Sequence, residues 1–380
     1  MTSTLELPVA QGELPSEAIG ILDITHQGRG TLRTRADRPS PGDVQVSAAL
    51  IHRHALRRGD LVEGVCDQPR VLSDVVRVDG RSPEALRERP HFRDLTPIHP
   101  RRRLRLETPS GGPATRLVDL VSPVGKGQRG LVVAPPRAGK TVLLRQLAEA
   151  VATNHPECRL MVVLIDERPE EVTDMRRSVR GEVLASTFDR PAREHIALAD
   201  LAIERAKRLV ERGEDVVVLL DSLTRLCRAH NNASAAGGRT LSGGVDAAAP
   251  LGPKRLFGAA RLTEEGGSLT ILATALVETG SRADDYFFEE LKGTGNMELR
   301  LDRALADRRV HPAVDLQASG TRREELLVPD VELRAMRRLR RALLTRKYPR
   351  AALETLLDRL RRTPDNAAFL RTVHLTVPDA

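Results

Sequence analysis

Aromatic side chains are scarce in this chain: 2% of residues, with no Trp, two Tyr and six Phe. A single ring, Phe92, precedes Leu117, so the N-terminal region has little surface on which nucleic-acid bases could stack. Cysteine is sparse as well. Cys66, Cys158 and Cys227 are widely spaced and odd in number. That argues against a disulfide framework or a Cys-based zinc site and points to a reducing, cytoplasmic setting. No apolar run approaches the ~18–20 residues that span a bilayer. The start, MTSTLELPVAQGELPSE, lacks the basic and apolar stretches of a secretory signal. No membrane partner is expected. Lysine is rare too: six of 60 basic residues, at positions 126, 140, 207, 254, 292 and 347.

What is present is a soluble globular composition, 40% hydrophobic and 29% charged, long enough for two or three domains at ~150 residues each. The net charge is +8 and the pI about 10.0, which suits a polyanionic partner. The surplus is concentrated. Residues 331–362 hold eleven Arg or Lys against three acidic residues.

Residues 1–16 read as a disordered leader. Over 17–80, short apolar runs such as AIGILDI, DVQVS and LVEGV alternate with turn signals, the pattern of a small β-barrel. Residues 81–116 are rich in Pro, Arg and Gly and read as a linker. Over 117–330 continuous apolar strands, GLVVA, LMVVLID, DVVVLLD and LTILATAL, alternate with helical stretches. That predicts an α/β domain with a mostly parallel sheet. Residues 331–380 read as a basic helical subdomain, in which Leu339, Leu343, Leu344 and Leu353 supply a packing face and the arginines a solvated one.

One local signal in the α/β region is strong. Ala134, Pro135, Pro136, Arg137, Ala138, Gly139, Lys140 and Thr141 follow an apolar strand and open an amphipathic helix. This is the setting of a phosphate-binding loop, with Ala134 where the first Gly usually stands. Backbone N–H groups and the helix dipole favour a phosphate there. Lys140 can reach the outer phosphates of ATP, and the Thr141 hydroxyl can hold Mg²⁺. Asp221, ending DVVVLLD, suits the metal-side carboxylate. Glu167, following LMVVLID, suits a general base for the attacking water. A cation for the transition-state charge is also needed, and spacing alone does not choose among the arginines.

Beyond these residues the match becomes specific. GQRGLVVAPPRAGKTVLLRQLA, LIDERPEEVTDMRRSVRGEVLASTFD, VVVLLDSLTRLCRAHN, LSGGVDAAAP, ELKGTGNMEL and VHPAVDLQASGTRREELL resemble segments of the bacterial transcription termination factor Rho family. The resemblance is dense from about residue 117 to 327 and traceable from 18 to 107. It implies a RecA-like ATPase core preceded by an OB-fold, cold-shock-like barrel. It implies a homohexamer that translocates along single-stranded RNA, unwinds RNA–DNA hybrids and acts on RNA polymerase.

By this resemblance nucleotide contacts fall on Pro136, Arg137, Ala138, Gly139, Lys140, Thr141 and Val142. Glu167 activates water, and Asp221 and Thr141 lie on the Mg²⁺ side. Arg322 is an arginine finger reaching a neighbouring subunit, and Arg309 is a second arginine near the phosphates. Two loops face the central hole. One includes Gly243, Gly244 and Val245; the other spans Glu278–Thr294 with Arg282, Lys292, Gly293 and Thr294.

The chain also departs from that pattern. Arg282 replaces a usual Lys, keeping charge but not geometry. His311 stands where a ring stacks on adenine. Arg29, Thr31 and Gln45 occupy positions where the barrel usually carries aromatics, leaving Arg29 and Arg33 as its RNA contacts. Weak, strongly salt-dependent RNA binding by the barrel is expected. An alternative is a paralogue that regulates or antagonises a housekeeping terminator.

Overall fold

The computed structural model describes residues 16–25, 27–109, 111–234, 240–241, 245–344 and 349–376. Two compact units divide the chain, residues 1–89 and 90–380.

The first unit is built from strands β1 (Ser16–Ile24), β2 (Gly30–Arg33), β3 (Val44–Val46), β4 (Leu61–Cys66) and β5 (Asp74–Val78), with helix α1 (Ala48–Arg53) after β3. The strands form one antiparallel sheet in the order β3-β2-β1-β4-β5. Strict alternation sends Val62, Gly64 and Cys66 of β4 inward, and Leu22, Leu32 and Val62 are fully buried. Gly64 is dictated by a close approach at a bulge in β4, because a Cβ there would lie 2.2 Å from the Asp74 carbonyl oxygen. The sheet closes on itself: the Gln45 N–H donates to the Arg70 carbonyl at 2.8 Å, and the Leu72 N–H to the Gln45 carbonyl at 2.9 Å. Inside, Asp60 accepts two bonds from Arg89, at 2.7 and 2.6 Å.

In the second unit the elements run β6 (Pro97–Ile98), β7 (Arg103–Leu104), α2 (Pro113–Val121), β8 (Val124–Gly125), β9 (Arg129–Ala134), α3 (Lys140–Asn154), β10 (Arg159–Glu167), α4 (Pro169–Ser178), β11 (Glu182–Thr187), α5 (Ala192–Val210), β12 (Asp215–Asp221) and α6 (Leu223–Ala233). Next come β13 (Thr240–Leu241), β14 (Val245–Asp246), α7 (Leu251–Phe257), β15 (Arg261–Thr263), β16 (Ser268–Leu276), α8 (Arg282–Lys292), β17 (Met297–Arg300), α9 (Arg303–Asp307), β18 (Gly320–Thr321), α10 (Asp330–Leu344), α11 (Pro349–Arg361) and α12 (Asn366–Thr376). The main sheet has the order β11-β10-β12-β16-β9-β17-β18. It is parallel from β11 to β17. The four apolar runs are its central strands, buried on both faces as such runs require. Their C-terminal ends share one edge, where open α/β sheets place their ligands.

Three readings of the sequence change here. Residues 81–116 are not a linker. Leu104 and Leu106 are fully buried in the α/β core, and the buried Phe92 N–H donates to Glu211 at 2.8 Å. The arginine run belongs to ion pairs, Arg103 with Glu332 at 2.6 Å and Arg102 with Asp215 at 2.8 Å; their carboxylates lie over a hundred positions away, which composition cannot reveal. The segment expected as a loop at Glu278–Thr294 is largely helix α8. Ser281 caps it by accepting from the Asp284 N–H, and Phe287, Phe288 and Leu291 bury one face. Val245 is buried, paired in a two-stranded ribbon with β13. The C-terminal helices pack on the core through Leu339, Leu353, Leu356 and Leu360, with Arg340 donating to the Leu120 carbonyl at 2.8 Å. The Leu344 side chain, residues 1–15 of the leader and Gly243 and Gly244 lie outside the described residues; Ser16, the last leader residue, opens β1.

Candidate functional site

Strand β9 ends where Pro135 and Pro136 withdraw two N–H groups from the ladder. The chain then turns through Arg137 at φ +67° and Gly139 at φ +93°, so the left-handed position just before the helix falls to glycine. Gly139 caps α3, whose first turn carries no acidic residue. The unmatched N–H groups and positive end of the dipole are therefore open to an anion.

Lys140, the first residue of α3, reaches across the strand ends. Its Nζ lies 2.5 Å from Asp221 Oδ1 and 3.2 Å from Glu167 Oε1. Asp221 closes β12 and Glu167 closes the adjacent β10; the carboxylate side chains are 2% and 3% exposed. Thr274 of β16 donates to Asp221 Oδ1 at 2.7 Å. Burial pushes the Glu167 carboxyl above its ordinary range. Lys140 opposes this, the neighbouring Asp221 charge reinforces it, and Arg225 opposes it.

Arg225, in the first turn of α6, is not singled out by sequence. Its Nη1 lies 3.3 Å from Glu167 Oε1 and donates to the Asp166 carbonyl. No local pattern announces it; only the fold brings α6 beside the end of β10. Asp166 itself sits at φ +58°, where the β10–β11 register shifts between Ile165 and Glu167. This bulge turns Glu167 toward Lys140.

Thr141 donates to Glu171 at 3.4 Å, a weak bond that leaves its hydroxyl free to serve a cation. Among the described residues no group of three or more His, Cys, Asp or Glu could hold a metal alone. Mg²⁺ ordinarily binds through one or two protein groups plus substrate phosphates, so Thr141 and Asp221 fit that role. Beside the loop is a largely apolar cavity of about 330 Å³, lined by Ala138, Gly139, Val142, Gln146, Pro113 and His311 among others. A Cβ on Gly139 would stand 3.9 Å from the His311 ring. His311 lines this cavity and presents the one aromatic ring among its named residues. Pro113 and Gln146 are lining residues that sequence reasoning missed.

The remaining predicted residues are not gathered around Lys140. Arg309 is exposed at φ +62°, two positions before His311. Arg322 is exposed after β18 and lines an open cleft with Lys292, Asn296 and Glu298; it touches none of Lys140, Glu167 or Asp221. Arg282 and Lys292 begin and end α8, about 15 Å apart along its axis. Gly293 and Thr294 come at the α8 C-terminus, and the Thr294 carbonyl accepts from Arg129 Nε at 2.9 Å. Lys292 is paired with Glu289.

In the first unit, Asp23, Thr31 and Gln45 align across β1, β2 and β3 on the face opposite Leu22 and Leu32. No aromatic residue lies in residues 1–89. Arg33 is not free on this face: its guanidinium lies 3.2 Å from Asp23 and 2.9 Å from Asp43. Arg58 also reaches Asp23, at 2.9 Å. Arg29 is exposed at the β1–β2 turn.

Comparison with known proteins agrees with both halves of this picture. Residues 18–84 match the model of the Rho termination factor RNA-binding domain, and residues 114–321 that of the ATP synthase alpha/beta family nucleotide-binding domain. Transcription termination factor Rho of Streptomyces coelicolor is 71% identical over 100% of this chain and 91% of its own length. That of Streptosporangium roseum is 61% identical over 94% and 92%, and that of Mycobacterium leprae 52% identical over 98% and 63%. Among solved structures, a prototypical ATPase from a bacterial type III secretion system aligns with TM-score 0.64 at 22% identity, covering 81% of this chain and 91% of that one. The assembled ATPase EscN of enteropathogenic E. coli aligns with TM-score 0.62 at 19% identity over 96% of each. At such identity these structures speak for the fold alone.

Proposed function

Because the chain belongs to the transcription termination factor Rho family, we propose that its ATP site is completed between two copies of itself and drives movement along RNA. The chain is an RNA-dependent ATPase that terminates transcription. The reading of the site rests on one observation: Lys140 stands at a helix N-terminus between two buried carboxylates.

The α3 N–H groups and Lys140 bind the phosphates, and the cavity beside His311 takes the base. Thr141 and Asp221 hold Mg²⁺, which supplies charge neutralisation at the outer phosphates. Glu167 takes the proton of the attacking water. Burial raises its pKa above the ordinary value and makes it a better base than an exposed carboxylate. Arg322, exposed and away from its own Lys140, serves the site of the adjoining copy, and such fingers contribute ~10³–10⁵ in rate. In this reading the copies assemble into a ring, a hexamer. Single-stranded RNA is held by Arg282, Lys292, Gly293 and Thr294 and by the barrel through Arg29. RNA polymerase is the target, in the cytoplasm. Among the described residues no helix is long and apolar enough to cross a membrane.

ATP hydrolysis with and without poly-C tests this. Lys140→Ala and Arg322→Ala are each expected to abolish stimulated turnover. Mixing the two variants restores part of it, because one copy lends its arginine to the other's intact lysine. Full turnover by Arg322→Ala alone would sink the shared-site reading.

A further inference from the structure

Next to the ATP site lies a buried polar pair, Ser186 and His195, with no part in the phosphate, metal or base contacts. His195, in the first turn of α5, is 5% exposed. Its Nδ1 lies 2.7 Å from Ser186 Oγ of β11. Its Nε2 faces Asp166 Oδ1 at 4.0 Å. Burial lowers the His195 pKa below its ordinary value, with Asp166 opposing, so the ring is neutral at physiological pH. Its ring nitrogens thus face Ser186, within hydrogen-bond distance, and Asp166, beyond it.

Asp166 matters because Glu167 is its next neighbour in the chain. Asp166 at φ +58° lies in the left-handed region, which Asp tolerates better than most residues and which its surroundings must still favour. Two groups lie beside it. Arg225 donates to its carbonyl and reaches the Glu167 carboxylate, while His195 faces its side chain. The next carbonyl, that of Glu167, accepts the Phe188 N–H at 3.1 Å. Thus residues 186, 188 and 195, from β11 to the start of α5, grip the two-residue bulge that points Glu167 at Lys140.

We propose that His195, backed by Ser186, is a positioning residue for hydrolysis: it fixes Asp166 in the left-handed conformation that aims the Glu167 carboxylate. The inference rests on Glu167 being the water-activating group. His195 touches neither the phosphate loop nor the base cavity, so its effect falls on turnover and not on nucleotide affinity.

The test uses the full-length protein and poly-C-stimulated ATP hydrolysis. His195→Phe keeps the volume and removes the polar contacts; it is expected to lower kcat at least tenfold, with KM for ATP within twofold of wild type and thermal stability of the ATPase unit retained. His195→Gln, which restores a donor and an acceptor, is expected to recover kcat to within about threefold. Combined with Glu167→Gln, His195→Phe adds no further loss, because it acts through the same carboxylate. The inference is overturned by a His195→Phe protein with unchanged kcat, by KM rising in step with the loss of kcat, or by additive losses in the double variant. A wild-type protein that does not hydrolyse ATP, or a Glu167→Gln protein that turns over normally, instead overturns the reading of the site on which the inference rests.

Discussion

Grafting rings onto the barrel face puts a number on how this chain holds RNA. Thr31 and Gln45 are direct register partners on β2 and β3, so their side chains stand about 5 Å apart on one face. Stacking a base on a ring yields ~1–3 kcal/mol. The pair Thr31→Phe and Gln45→Tyr therefore offers ~2–6 kcal/mol, roughly thirtyfold to over ten-thousandfold in affinity. The unmodified face has only charge to offer, and Asp23 and Asp43 already neutralise Arg33. Its binding depends on exposed arginines such as Arg29, each phosphate contact adding ~0.7 to the salt slope. Fluorescence anisotropy of the full chain with labelled oligo-C and oligo-A, across a salt series, separates these terms. The double variant is expected to tighten oligo-C binding at least thirtyfold while leaving the salt slope unchanged. The reasoning fails if the natural chain already prefers oligo-C over oligo-A more than tenfold at high salt, or if the added rings change nothing.

Three further outcomes are expected from the interior. Asp60 is fully buried against Arg89; Asp60→Ala strands the guanidinium and is expected to destabilise the barrel by ~3–5 kcal/mol, read as an early thermal transition that leaves the ATPase unit folded. Burial lifts the Asp119 carboxyl to about 6 from 3.8, with Arg103 opposing. A raised acid holds a proton in the folded state that the unfolded chain releases, so its contribution is complete below about pH 4 and is lost as pH rises through 6. The loss is about 3 kcal/mol at most. Asp119→Asn is expected to flatten the pH dependence of Tm in that window, and an unchanged curve would contradict the assignment. All three cysteines are free and buried. Burial pushes Cys158 to about 11 and Cys227 still higher. A thiol reagent should modify none of them in the native protein and all three after denaturation, and one fast native thiol refutes that.

The sequence is legible wherever structure is encoded within a few neighbouring residues. The four apolar strands announce themselves as runs, and the loop before Lys140 as a strand, a turn and a helix. Asp221 and Glu167 stand out because each ends such a run. Contacts made across the fold are invisible at that range. Arg103 reads as solvated charge until Glu332 is brought beside it. Arg225 and the Ser186–His195 pair carry no spacing that links them to Glu167. Helix α8 is hidden by the glycines at 280, 293 and 295, which mark its ends and suggest a loop throughout. Val245 comes after a Gly-rich stretch and reads as a surface residue, yet its apolar side chain is buried.

The closure of the small sheet has a consequence for recognition. Gln45 is the middle of a three-residue strand in register with β2 throughout, and both of its outward main-chain groups are spent on residues 70 and 72. That border offers no row of free amides and carbonyls onto which an extended polypeptide could zip. A ligand meeting the barrel there is gripped by side chains, and its affinity can be tuned by exchanging those side chains while the main-chain frame stays intact.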